Sequence, residues 1–187
     1  MLKSDTSVSE VKSLPQEKVR LALPTVCRNP YVFAELIKNL LAAGYKKWEV
    51  GNYWALAMLP LKEVDLSFDT PLYMLNSEAM EEAKAIGAEK VSFAIEDTLD
   101  NIKQLTEVAP LKTTFVVYQD APLFTSAVCI RENDCRICSR KEKWYDLSRD
   151  GKKYQALSKD CQIMLFDKNS FCFAAEAKEV KCSYYRA

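Results

Sequence analysis

The sequence predicts an α/β protein built on parallel strand–helix repeats, with a cysteine-rich segment toward its C-terminus. Three observations carry this reading. From Val19 to Tyr118, short β-like runs alternate with helical patterns. The helical stretches are punctuated by cap residues and glycine stops. Beyond Asp120 the pattern gives way to residues 121–172, which hold five of the seven cysteines and little clear periodicity. The expected layout is a flexible lead-in over 1–18, an α/β domain over 19–120, and a cysteine-rich segment and tail over 121–187.

The strand-like runs are Val19–Val26, Trp48–Val50, Val64–Phe68, Val91–Ile95 and Thr113–Tyr118, rich in Val, Phe and Thr. Between the first two, Asn29 can cap a helix and Pro30 suits its first turn. Phe33, Leu36, Ile37, Leu40 and Leu41 then form an apolar stripe at helical spacing, and Gly44 offers a left-handed exit. A second helix is predicted from a cap near Ser77 to Ile86, stopped by Gly87. A third follows Thr98, with Leu99, Ile102, Leu105 and Val108 on one face and Pro110 ending it. Residues 51–61 suggest a short helix. Strand–helix–strand alternation implies parallel crossovers. Five strands do not close an eight-stranded barrel, so the expectation is an open sheet or part of a barrel cut from a longer protein.

Composition excludes several function classes. Lys plus Arg equals Asp plus Glu at 26 each, so no global field favours nucleic acid or membrane. The chain has no histidine, which removes Ser-His-Asp and Cys-His catalysis and every histidine-containing metal site. Four glycines form neither a P-loop nor G-x-G-x-x-G. No apolar run approaches the ~20 residues of a membrane span. An odd cysteine count without a signal peptide argues against a secreted disulfide framework, and the cytoplasm is the expected location.

The cysteines supply the most specific chemistry. Cys129, Cys135, Cys138 and Cys161 read Cys-x5-Cys-x2-Cys-x22-Cys. A Cys-x2-Cys knuckle aims two sulfurs at one ion, and distant cysteines close the site. Soft thiolates select zinc or iron–sulfur clusters over magnesium or calcium. These four are therefore the candidate ligands of a 4Fe–4S cluster or of zinc, and nearby Arg131, Arg136, Arg140 and Lys141 would soften the site's negative charge. The competing readings are buried thiols, a redox-active Cys-x2-Cys pair, and disulfides. Cys172 is an alternative ligand, whereas Cys27 and Cys182 read as structural.

Residues just past the strand C-termini face the active mouth of a barrel-like sheet. Asn52, Asp69, Glu96, Tyr118, Gln119 and Asp120 fall there. Glu96 is a candidate general base, or else a carboxylate stabilising the helix after Thr98. Asn52 is a candidate ligand or a turn residue. Trp48, Tyr53, Trp54 and Tyr73 could stack a base or fill the core.

Several segments, in order, resemble peptidase family U32, the collagenase-like group. Glu49-Val50-Gly51-Asn52 with Ala55-Leu56 resembles its "GN…AL" segment, Leu72 to Ser77 its "LNV-NS" stretch, and Ile86 to Ser92 its "LGA-RVTLS" run. Glu96 falls where the family carries a glutamate. Pro122-Leu123 followed by Cys129, Cys135 and Cys138 resembles "PLM…C…C-x-x-C", and Arg149-Asp150-Gly151, Tyr154, Cys161 and Asn169-Ser170 resemble the passage after it. The likeness runs from Gly44 to Ser170 and is to the later part of longer members. It implies a TIM-barrel-like scaffold, here partial, with a four-cysteine site. Some members are classed as proteases; others hydroxylate RNA bases or quinone precursors and hold a 4Fe–4S cluster on four cysteines. The proteolytic branch's signature, from a glutamate through Gly-Ala to paired cysteines and Ser-Gly-Arg, is not matched by Leu123 to Cys138. The implied activity is iron–sulfur-dependent hydroxylation of an RNA base or small aromatic. The alternatives are a non-catalytic zinc-stapled interaction module or a protease. The implied partner is the rest of a longer polypeptide, or a second copy, completing the barrel.

Overall fold

The computed structural model describes residues 1–3, 6–130, 138, 141–159 and 161–187. The chain divides into two compact units. Unit 1 comprises Met1–Val116 and Ala175–Arg186, and unit 2 comprises Val117–Ala174 together with Ala187.

Unit 1 opens with helix α1 (Val8–Lys12). Ser7 caps it and Glu10 returns the bond in a capping box, inside the expected lead-in. Leu2 and Val11 are buried. The repeats then follow as β1 (Leu21–Ala22), α2 (Pro30–Ala42), β2 (Lys47–Val50), α3 (Tyr53–Leu56), β3 (Asp65–Phe68), α4 (Ser77–Ile86), β4 (Ala88–Ser92), α5 (Leu99–Val108) and β5 (Lys112–Val116). Asn76 rather than Ser77 caps α4, its Oδ1 accepting from the Ala79 N–H at 2.8 Å. Thr98 caps α5. Gly87 ends α4 at φ 110°, a left-handed conformation that costs glycine no steric clash.

Five strands lie in sequence order, and a sixth, β12 (Tyr184–Arg186), is added beside β5 after the chain has left and returned. All five pairings are parallel. The outcome is a mixed α/β fold with a six-stranded parallel sheet curled into a half-barrel. One contact demonstrates the curl. Three strands separate β12 from β2, about 19 Å across a flat sheet, yet Arg186 Nη1 lies 3.3 Å from Glu49 Oε1.

Register sorts the sheet's residues into two faces, because aligned residues on adjacent strands point the same way and alternate residues point oppositely. Val50, Phe68 and Val91 align in one row, with Trp48 beside Leu66 on the same face. These side chains are buried along with Phe33, Leu36, Ile37 and Leu40 of α2, Met80 and Ala83 of α4, and Ile102 and Leu105 of α5. Each large apolar side chain so buried contributes about 1.5–3 kcal/mol. The opposite face carries Glu49, Ser67, Lys90, Ser92, Thr114, Tyr184 and Arg186 in mutual register. That face is polar.

Unit 2 is built of strands, although its sequence shows little periodicity. A short pair, β6 (Tyr118–Gln119) and β11 (Phe171–Cys172), is antiparallel. The main sheet is antiparallel, in the order β7 (Pro122–Ser126), β10 (Gln162–Asp167), β9 (Lys152–Lys159), β8 (Lys143–Arg149). Asp150 (φ 53°) and Gly151 (φ 77°) form a two-residue turn between β8 and β9, the geometry for which Asp-Gly is favoured. Among the described residues, no helix is long and apolar enough to cross a membrane.

Candidate functional site

The antiparallel sheet sets the geometry of the cysteines. β7 ends at Ser126, which is aligned with Ile163, the second residue of β10. β8 begins at Lys143, aligned with Ser158 near the end of β9. Lys159 is aligned with Gln162, so Cys161 stands just before β10 at this same end of the sheet. The connection from Ala127 to Glu142 therefore leaves and re-enters the sheet beside Cys161. Ser126 Oγ accepts from the Val128 N–H at 3.0 Å, turning the chain immediately before Cys129. An ion pair between Lys159 and Glu142 ties the end of β9 to the approach to β8.

Cys129 and Cys161 are exposed at this end and Cys138 is half-buried, while Cys135 lies outside the described residues. Cys161 holds a left-handed backbone at φ 57°. Glycine and asparagine adopt this conformation most readily, and a cysteine there stores about 1–3 kcal/mol of strain. Among the described residues, no group of three or more Cys, Asp or Glu side chains converges on one point, and no disulfide forms. Cysteine sulfur is the donor type that zinc and iron–sulfur clusters take, and Cys161 lies at the sheet end where β7 finishes, three residues before Cys129.

The remaining cysteines stand elsewhere. Cys172 is exposed on β11. Cys182 is half-buried in unit 1, where burial pushes its thiol pKa up against a hydrogen bond with Thr113 that lowers it. Asn52 is the N-cap of α3, its Oδ1 accepting from the Trp54 N–H at 3.3 Å. Glu96 follows β4 and accepts a hydrogen bond from Tyr73, which with the carboxylate's charge raises the tyrosine's pKa. Tyr73 is itself left-handed at φ 50°. Trp48 is core, and Trp54 packs on Phe33 with ring centroids 5.4 Å apart. Tyr53 stays exposed.

No family model matches the chain, and neither a curated protein nor a solved structure does. The site is therefore read from its own residues.

A second polar constellation, on the inner face of the half-barrel, is not signalled by any motif. Arg20 Nη2 binds Asp65 Oδ1 at 2.7 Å, and its Nη1 donates to the carbonyls of Trp48 and Asp65. Arg186 Nη2 binds Asp69 Oδ1 at 2.7 Å while Nη1 reaches Glu49. Lys90 Nζ sits 5.1 Å above the centre of the Tyr184 ring. Burial, then the charge of Asp69, raises the Glu49 pKa against Arg186, Lys90 and Arg20. Burial, then the charge of Arg20, lowers that of Lys90. The hydroxyls of Ser67, Ser92 and Thr114 are buried with no hydrogen-bond partner among the described residues. The available signal was polar alternation along the strands: Asp65-x-Ser67-x-Asp69, Lys90-x-Ser92 and Tyr184-x-Arg186.

Proposed function

We propose that unit 2 carries a four-thiolate centre, with Cys129, Cys135, Cys138 and Cys161 holding a 4Fe–4S cluster or zinc, in a U32-like protein whose half-barrel is part of a TIM-barrel-like scaffold. The observation that carries this reading is Cys161, kept in an unfavourable left-handed conformation at the sheet end from which the Cys129–Cys138 connection departs and returns. A ligating role gives that strain a use. The thiolates would bind and orient the centre, which when bound supplies redox or Lewis-acid chemistry. The parent activity in this reading is hydroxylation of an RNA base or small aromatic, in a cytoplasmic protein whose barrel is completed by further polypeptide or by a second copy. Glu96, held by Tyr73, is the proposed proton acceptor at the strand ends, and Asn52 the proposed polar contact.

One observation favours a second reading, a zinc-stapled scaffold without turnover. The four-stranded sheet buries little: Ala156, Leu157, Ser158 and Ile163 are its fully buried positions among the described residues. Small units with such sparse cores are commonly stapled by metal. Anaerobic purification with elemental analysis and a visible spectrum separates the readings. Iron with acid-labile sulfide and broad visible absorbance supports the cluster, and stoichiometric zinc with a colourless protein supports the scaffold. Neither metal in wild type, or unchanged metal content in Cys138→Ser and Cys161→Ser, overturns both.

A further inference from the structure

The inner face of the half-barrel gathers reactive groups that the four-thiolate reading does not use. Along one row of the sheet, Glu49, Ser67 and Lys90 are aligned on β2, β3 and β4. On the next row toward the strand C-termini, Ser92, Thr114 and Tyr184 are aligned on β4, β5 and β12. The curl that brings Arg186 to Glu49 turns both rows inward. Five cations, Arg20, Lys47, Lys90, Lys112 and Arg186, and three carboxylates share this face, but they are not equivalent. Arg20 is held by Asp65, and Arg186 by Asp69 and Glu49. Lys47 donates to the Glu17 carbonyl and Lys112 is exposed, whereas Lys90 is half-buried and makes no ion pair among the described residues. Its half-buried ammonium lies over the Tyr184 ring and feels the charges of both arginines and of Glu49 and Asp65.

Three hydroxyls share its face, Ser67 aligned with Lys90 and the Ser92–Thr114 pair one row on. Ser67 and Ser92 are 0% exposed and Thr114 4%, and none of the three has a partner among the described residues. An orphaned buried hydroxyl costs about 1–3 kcal/mol, and three on one face make a coherent demand for hydrogen-bonding groups. Glycine or alanine would avoid that cost on a merely structural inner face.

We propose that this face is a site for a small hydroxylated aldehyde or ketone, which Lys90 captures as an imine. The neutral amine adds to the carbonyl carbon, forming the C–N bond. The carbonyl oxygen takes a proton from the Glu49 carboxyl, and the nitrogen returns one to the carboxylate. Glu49 then protonates the new hydroxyl, which leaves as water while the nitrogen lone pair forms the C=N bond. The sum is amine, carbonyl compound and one proton giving iminium and water, with no oxidant or reductant. The iminium cation lies against the Tyr184 ring and beside the Glu49 carboxylate, both of which favour positive charge. Both titrations run the required way. Burial lowers the Lys90 pKa, giving more neutral amine, and raises that of Glu49, keeping more of it as acid. The substrate's hydroxyls match Ser67, Ser92 and Thr114.

The test is reductive trapping on the full chain. The protein is incubated with dihydroxyacetone and cyanoborohydride, and adducts are mapped on every lysine by peptide mass spectrometry. Trapping at Lys90 is expected to saturate with dihydroxyacetone and to exceed that at exposed Lys112 severalfold. Acetone, lacking hydroxyls, should trap at Lys90 without saturation. Glu49→Gln should slow trapping at Lys90 while leaving Lys112 unchanged. Lys90 labelling no faster than Lys112, or equal saturation with acetone and dihydroxyacetone, overturns the proposal. The comparison is internal to the wild-type chain, so it does not depend on any variant folding.

Discussion

The two sheets of this molecule solve the same problem in opposite ways. The parallel sheet of unit 1 is covered on one face by helices and buries Trp48, Leu66 and Val91 completely, at 0% exposure each. Its polar groups are confined to the inner curl. The antiparallel sheet of unit 2 has no helix among its described elements, and Phe124, Trp144 and Leu147 stay largely exposed. Stability in unit 1 is carried by a hydrophobic core. In unit 2 backbone pairing and turns carry a larger share. The comparison teaches where each unit should break.

The largest expected effect separates them outright. If the four thiolates hold metal, removal by a strong chelator should abolish amide protection in β8, β9 and β10, because binding free energy is folding free energy at such sites. Protection in β2 to β4, where none of the four lies, should persist. Hydrogen exchange read by mass spectrometry checks this, and retained protection in β9 after complete metal removal would break the contrast.

Trp48→Ala should cost unit 1 about 3–5 kcal/mol in urea unfolding, the usual penalty for emptying a fully buried aromatic position. Next in size is Arg186→Met, which strands Glu49 and Asp69 and should cost roughly 1–2 kcal/mol, since the groups remain partly exposed. Cys161→Gly sharpens the reading of unit 2. Relief of the left-handed strain should stabilise the metal-free chain by about 1 kcal/mol while lowering metal content. Lowered metal affinity without that gain would deny the strain.

The smallest effect is in pH. Glu49 has a folded pKa raised from its ordinary 4.5, so the folded state binds the proton more tightly than the unfolded one. Its contribution is fully present below 4.5 and is lost as pH rises through the raised value, so stability falls across that window. Lys90 has a folded pKa lowered from 10.5, which penalises its charged form. Stability should therefore rise with pH between the lowered value and 10.5. Glu49→Gln should flatten the first slope and Lys90→Met the second, as read from urea midpoints across pH.

Much of unit 1 was legible in the sequence because its signals are local. The Asn29-Pro30 start of α2, its stripe of Phe33, Leu36, Ile37 and Leu40, the Thr98 cap and the Gly87 stop each act within a turn or two. The expected run Val19–Val26 shrinks to Leu21–Ala22, since strand length is set by the neighbour it pairs with. β12 was illegible for the same reason. Tyr184–Arg186 is too short to show a period, and its pairing with Thr114 to Val116 spans about 70 residues. Unit 2 was obscured because its strands are half-exposed on both faces, so burial imposes no alternation, yet Asp150-Gly151 was a hairpin signal in plain view. Of the candidate site, the cysteine spacing was readable. The meeting of β7, Cys161 and β8 at one end needed the strand register.

The bond from Arg186 to Glu49 and Asp69 acts on the parallel sheet as a tie-rod acts on an arch. A ribbon of six strands with two open rims is free to splay, and a chord between distant strands fixes its radius. The chord has two anchors, Glu49 on β2 and Asp69 just past β3, so cutting either leaves the other to hold the span, and a distance label on β2 and β12 would read the difference.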